Sequence, residues 1–233
     1  MSEKKLNVLT TVTKNYVNLI DNYFLATLPD EIKDMKVLYI NDLEKINLEI
    51  DAKFFETKKL EMLCKEIESN LGDNIFFIDG DVVFAYGATF KDEINEILEE
   101  YDIAFQHNDD WYNFGVFALS CNERTLEYFQ HMLEIEMPKT FDIRKLHDQH
   151  IANALLGVYP DAPGFEYSVE KTFDNIKHIN LPIRYFGNHY RHYRYPQDVP
   201  DDVVFIHATS TSSMSEKIHL LHDFKHKYYD SRK

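Results

Sequence analysis

Asp79-Gly80-Asp81 sets two carboxylates one small residue apart, directly after the apolar run from Asn74 to Ile78 (NIFFI). Two carboxylates so spaced can share a hard divalent cation. Such an ion would bridge diphosphate oxygens and neutralise charge on a departing nucleotide. The apolar run reads as a strand buried on both faces, and ligands of open α/β sheets bind outside the carboxyl ends of such strands. The tripeptide also has a purely structural reading. Asp-Gly between apolar runs, here Ile78 and Val82 to Phe84, is a strong hairpin signal.

Three further groupings bear on the choice. Trp111-Tyr112-Asn113-Phe114-Gly115-Val116 reads as a polar, glycine-containing turn that leads into a strand. His147-Asp148-Gln149-His150 opens a helix. His207 ends the late apolar run Val203 to Ile206 and is followed by Ala-Thr-Ser-Thr-Ser-Ser and then by Lys217. Each places polar groups at a strand end or a helix start, where sites form. Taken singly, each also has a structural reading: Asn113 can serve its turn, Asp148 can favour its helix N-terminus, and His207 can be a core residue. Asn188 to Tyr195 (NHYRHYRY) is a basic, aromatic stretch whose rings could stack on sugars and whose arginines could bind phosphate.

The elements that must position these groups follow from periodicity. Leu6 to Thr11 reads as a buried strand. Val17, Ile20, Phe24 and Leu28 share one helical face, and Pro29 ends that helix. Lys36 to Ile40 is a second strand. Leu60, Leu63, Cys64, Ile67 and Leu71 make a helical stripe over about 56–70, with Gly72 as its stop. Glu93 to Tyr101 is a helix, and Ile103 to Gln106 and Val116 to Leu119 are strands. Asn122 caps a helix carrying Leu126, Phe129 and Leu133. A short helix from Asp148 turns Ile151 and Leu155 inward, and a last helix runs from about Ser215 to Tyr229. Strands alternate with helices, which predicts an α/β fold: a mostly parallel central sheet flanked by helices, in one domain over 1–233. The segment 157–200 is rich in Gly and Pro and reads as a functional loop region.

Composition narrows the function. The formal net charge is −15, so most of the surface repels nucleic acid. A diphosphate would be repelled too unless a cation or local basic residues intervene, which is the role the paired aspartates suggest. Cys64 and Cys121 imply neither a disulfide framework nor a cysteine zinc site. The N-terminus lacks a long apolar stretch of the secretory kind, and no run is long enough to span a membrane. The expectation is a soluble cytoplasmic protein, in its own cell or in that of a host.

In order along the chain, a strand running into Asp-x-Asp, then Asn-x-Gly-Val, then Asp-Gln at a helix start, then a late strand ending in His with Lys beyond it, resembles the metal-dependent GT-A glycosyltransferases. The likeness is greatest to the retaining group that includes the glycogenin and lipopolysaccharide galactosyltransferase types, and it covers about residues 6–220. The resemblance implies the nucleotide-diphospho-sugar transferase fold and Mn2+ or Mg2+ held by Asp79, Asp81 and His207. It also implies that Asp79, Asn113 and Lys217 contact the donor, with Asn113 near the sugar. Thr10, Thr11 and Tyr16 would hold the base and ribose. Asp148 and Gln149 would line the donor sugar at its reactive face. The implied reaction moves a hexosyl or pentosyl group from a nucleotide sugar, by default a uridine one, to a hydroxyl of a glycan or glycoconjugate with retention. An inverting enzyme would instead need a carboxylate base such as Asp148 or Asp109. The loop between His207 and Lys217 is longer and richer in Ser and Thr than the family's Gly-rich turn. Two rivals remain. A sugar nucleotidyltransferase requires a Gly-rich N-terminal phosphate loop, and residues 10–15 (TTVTKN) hold no glycine. A noncatalytic carbohydrate-binding protein on the same fold would bind without turnover.

Overall fold

The computed structural model describes residues 4–13, 16–40, 48–108, 111–135, 148–158, 171–187, 199–209, 211 and 213–233. Asp109, His147 and the stretch 188–195 lie outside the described residues. Among the described residues nine strands form two sheets. The larger has six strands, in the order β2 (Lys36–Ile40), β1 (Leu6–Thr13), β3 (Asn74–Ile78), β6 (Trp111–Ser120), β5 (Ile103–Asn108), β7 (His178–Asn180). The smaller has β4 (Val82–Phe84), β9 (Phe205–His207) and β8 (Tyr185–Gly187), with β9 in the middle.

The expected α/β class holds, with helices α2 (Leu48–Ser69), α3 (Lys91–Glu100), α4 (Glu123–Glu134), α5 (Asp148–Leu155) and α6 (Met214–Phe224). The large sheet is more mixed than the alternation suggested. β1 pairs in parallel with β2 and β3, and β5 with β7, but β6 runs antiparallel to both β3 and β5. The reason lies in residues 111–115, which sequence reading treats as a turn. They are the first half of the ten-residue strand β6. β5 and β6 are therefore near neighbours in the chain, and a short link joins antiparallel strands where a parallel pair would need a long crossover. β7 and β8 have three residues each, too few to leave a period in the sequence.

β3 is buried at every position, as its apolar run requires. Ile75 and Phe77 face a cluster with Leu60, Leu63 and Ile67 of α2 and Phe129 of α4. Phe76 and Ile78 face the opposite cluster, with Phe24, Phe84, Phe90 and Phe205. A strand packed on both sides has little freedom, which makes its carboxyl end a rigid mount.

Local signals fall where expected. Asn122 and Thr125 form a reciprocal capping box at the start of α4. Gly72 takes φ +94° just beyond α2, and its N–H donates to Cys121 O at 2.9 Å. The predicted first helix is one α turn, α1 (Val17–Leu19), continued by a π turn over Ile20–Phe24 and a 3-10 turn over Leu25–Thr27. Both cysteines are free and buried, and burial pushes their thiols up to about 11 for Cys64 and about 12 for Cys121. Among the described residues no helix is long and apolar enough to cross a membrane.

Candidate active site

Asp79-Gly80-Asp81 is not a hairpin. β3 and β4 belong to different sheets, and the tripeptide carries the chain from one to the other. Two backbone bonds fix it: Asp79 N–H donates to Gly115 O at 2.7 Å, and Ala208 N–H donates to Asp81 O at 2.9 Å. In the small sheet Val82 lies opposite His207. That register brings the late histidine beside a carboxylate more than a hundred residues earlier in the chain. His207 Nε2 lies 3.1 Å from Asp81 Oδ1. Ligand atoms of Asp79, Asp81 and His207 all lie within 4.8 Å of one another.

The histidine ring is oriented from behind by Gln106, which is fully buried on β5. Gln106 Nε2 donates to the backbone oxygen of Tyr185 at 3.0 Å, so its Oε1 faces the ring and lies 2.7 Å from His207 Nδ1. Gln106 Oε1 thereby accepts the Nδ1 proton and leaves Nε2 directed at Asp81, where it can donate when protonated or offer a lone pair to a metal ion. The pairing of β5 with β6 slips between Phe105 and Gln106, a bulge of the kind that re-aims a side chain.

Gly115 closes the other side of this group. A Cβ built there would collide with Asp79 Oδ2 and come within 2.9 Å of His207 Cε1 and 3.0 Å of Asn113 Oδ1. Only glycine leaves that room free. Oxygen and imidazole donors converge, Gln106 holds the imidazole from behind, and the space before them is kept clear. This donor set fits Mn2+ or Mg2+, with carboxylates suited to both and imidazole tilting the choice toward Mn2+.

Electrostatics separates the two aspartates. Burial pushes Asp79 up to about 6, against the opposing pull of Lys59. Burial would also raise Asp81, but His207 and Lys217 outweigh it and hold its carboxyl well below the usual range. Lys217 Nζ is in direct contact with Asp81 Oδ2, so the lysine beyond the long Ser/Thr loop does reach the site. Burial works against the charge of Lys217, and Asp81 more than restores it.

A cavity of about 470 Å³ opens from this group. Asn113, Asp148 and Gln149 line it together with Asp79, Asp81 and His207. Asn113 Oδ1 accepts from Gly115 N–H at 2.7 Å within the strand. Gln149 Oε1 accepts from Phe114 N–H at 3.2 Å, and Asn153, one turn on, brackets Tyr112 through both its N–H (2.7 Å) and its C=O (2.9 Å). α5 is thus fastened to β6 by side-chain amides, which sets Asp148 at the cavity wall.

Sequence reading passes over Lys59. Its side chain is buried, it is ion-paired with Asp148, and its Nζ lies 4.9 Å from the ring centroid of Phe114. Burial opposes its charge, yet Asp148 and Asp79 outweigh that and raise it above the ordinary lysine value. The signal was present: Lys59 stands four residues before Leu63 and eight before Ile67, a cation inside the apolar stripe. Gln106 left no comparable signal.

The remaining expected donor residues lie apart from the cavity wall. Thr10 and Thr11 are buried near the end of β1, and their hydroxyls have no hydrogen-bond partner among the described residues. Thr10 Oγ1 lies near Gly80, 3.9 Å from where a Cβ would stand. Tyr16 is exposed and close enough to Lys217 to influence it electrostatically.

A sheet-end carboxylate pair, a histidine from a second sheet and a cavity beside them form a candidate metal-binding active site on an α/β fold. The family model for nucleotide-diphospho-sugar transferases matches residues 61–221, and the chain belongs to that family. It is a glycosyltransferase with a GT-A type fold. Among solved structures it is similar to a glycosyltransferase involved in glycosylation of the major capsid of PBCV-1, at 16% identity and TM-score 0.55, covering 94% of this chain and 98% of that one. It is also similar to the galactosyltransferase LgtC in complex with donor and acceptor sugar analogs, at 12% identity and TM-score 0.53, covering 94% of each chain. A third likeness is to the glycosyltransferase GlyE of Streptococcus pneumoniae TIGR4, at 12% identity and TM-score 0.58. It covers 96% of this chain but only 60% of GlyE. Comparison with curated protein sequences gives no match.

Proposed function

We propose that this glycosyltransferase, working as one domain over 1–233, is metal-dependent and moves a sugar from a UDP-sugar donor to a hydroxyl of a glycan or glycoconjugate with retention of configuration. The observation that carries the reading is the convergence of Asp79, Asp81 and His207 at the carboxyl end of β3, with ligand atoms within 4.8 Å, beside a cavity that Asp148 and Gln149 line. Asp79, Asp81 and His207 would hold Mn2+ or Mg2+, which when bound supplies charge neutralisation for the departing diphosphate.

The chain's own residues supply the rest. Lys217 stands beside Asp81 and can turn to a donor phosphate once a divalent ion occupies the carboxylate. Thr10 and Thr11 offer buried hydroxyls, and Tyr16 a ring, toward the base and ribose. Asn113 and Gln149 present amides to the donor sugar. Asp148 supports retention: one oxygen accepts from Gln149 N–H at 2.8 Å and the other pairs with Lys59, so it is poorly placed to act as a free base. In the transfer the acceptor oxygen bonds to the anomeric carbon as the bond to the diphosphate oxygen breaks. The acceptor proton leaves with the phosphate side, and the confined geometry provides much of the advantage over solution.

Thermal shift with UDP-glucose, UDP-galactose and UDP, each with and without Mn2+, tests this. A ligand that binds only the folded chain raises its melting temperature by mass action. Stabilisation by the nucleotide should require Mn2+ and should vanish in a folded Asp81→Asn variant. Stabilisation that is indifferent to Mn2+, or that survives Asp81→Asn, overturns the metal site.

A further inference from the structure

Trp111 stands at the far end of the same cavity. Along β6 the order is Gly115 against the Asp79–His207 group, Phe114 bonded to Gln149, and Trp111 against His150. Four residues of strand span at most about 14 Å. The Trp111 and His150 rings meet edge to face with centroids 4.8 Å apart. Phe55, one helical turn before Lys59 on α2, lines the cavity with them. One end is therefore built from carboxylates and imidazole, and the other from aromatic rings, with the Lys59–Asp148 pair and Gln149 also on the wall.

We propose that Trp111, with Phe55 and His150, forms the acceptor subsite and receives the apolar face of a pyranose ring. This rests on the glycosyltransferase reading above. A diphosphate neutralised at the cation end directs the donor sugar toward Gln149, which leaves the aromatic end for the second substrate. The carbon-bound hydrogens of a pyranose face are apolar, and an indole offers a large, rigid surface to cover them. The surrounding cavity is concave, with a few convergent polar groups, as small-ligand sites are. A purely structural Trp111 would instead fill a core, but it is half-buried and lines the cavity.

Trp111 is the chain's single tryptophan, so its emission reports on this subsite alone. Protein saturated with UDP and Mn2+ is titrated with methyl glycosides of glucose, galactose and N-acetylglucosamine, with sorbitol as an open-chain control. At least one glycoside should give a saturable change in emission that sorbitol does not. A response to none of them, or an equal response to sorbitol, overturns the subsite. With a responding glycoside as acceptor, Trp111→Ala should raise the acceptor KM about tenfold and Trp111→Phe less, while the donor KM stays within about twofold. Equal rises in both KM values overturn the assignment. The Mn2+-dependent shift with UDP, measured in each variant, separates misfolding from loss of the subsite, and Phe55→Ala provides a second probe should Trp111→Ala not fold. Should UDP fail to bind the unaltered chain with Mn2+, the functional reading itself falls. Should it bind with no sugar response, only the subsite falls.

Discussion

Lys59 and Lys217 each reach a carboxylate of the site, but from opposite surroundings. Lys59 sits within the long helix α2, with its side chain 5% exposed, against Asp148 and the Phe114 ring. Lys217 sits in the first turns of α6, with its side chain 19% exposed, against Asp81. A cation buried against an aromatic face and ion-paired with Asp148 has little room to turn elsewhere. Lys217, less deeply covered and paired with a carboxylate that His207 also holds, can trade that carboxylate for another anion. The first pair fixes a wall, and the second neutralises Asp81 in a way that an incoming divalent ion can replace.

The largest test of that contrast is Lys59→Met. Methionine keeps much of the apolar bulk but leaves Asp148 buried without its cation. Breaking one side of a buried pair costs about 3–5 kcal/mol. Denaturant unfolding should show a loss of that size. A loss below about 1 kcal/mol would make the pair equivalent to a surface one and erase the distinction.

Gln106→Leu tests how far the cation end depends on support from behind. Outer partners of ligating histidines are typically worth about ten- to a hundredfold in metal affinity. Calorimetry with Mn2+ should show a fall in that range, and Gln106→Glu, which keeps an acceptor for the Nδ1 proton, should recover part of it. Unchanged Mn2+ affinity in a folded Gln106→Leu protein would mean that His207 needs no such orientation.

The smallest effect on the fold should come from Lys217→Met, because Asp81 keeps His207 as a second partner where Asp148 has Lys59. Its signature is elsewhere: Mn2+ alone should bind more tightly, because a competing cation is gone, while UDP affinity with Mn2+ present should fall. A destabilisation as large as that of Lys59→Met would show that the two lysines play the same part.

Much of this site is legible in the chain because the groups lie at strand ends and helix starts, which local patterns mark. β3 is apolar throughout and is followed at once by Asp79-Gly80-Asp81. Asp148-Gln149 opens α5, and Asn122 caps α4 through its own side chain. Lys59 was legible as a charge within an apolar stripe. The opposed direction of β6 was hidden because Asn113 and Gly115 look like turn residues, yet both lie in a strand, where the missing side chain of Gly115 leaves room for Asp79 and His207.

The sequence by itself determined the alternation of strands and helices, the acidic charge that calls for a cation beside any diphosphate, and the carboxylate pair at the end of β3. The tertiary structure alone decided what stands around that pair. His207 meets Asp81 because β9 pairs with β4 in a second sheet, and Gln106 of β5 meets His207 across 101 residues of chain. Local propensity acts over a few residues. Sheet pairing and side-chain amide contacts act across the whole fold, and only these bring a ligand, its supporting amide and its competing lysine to one point.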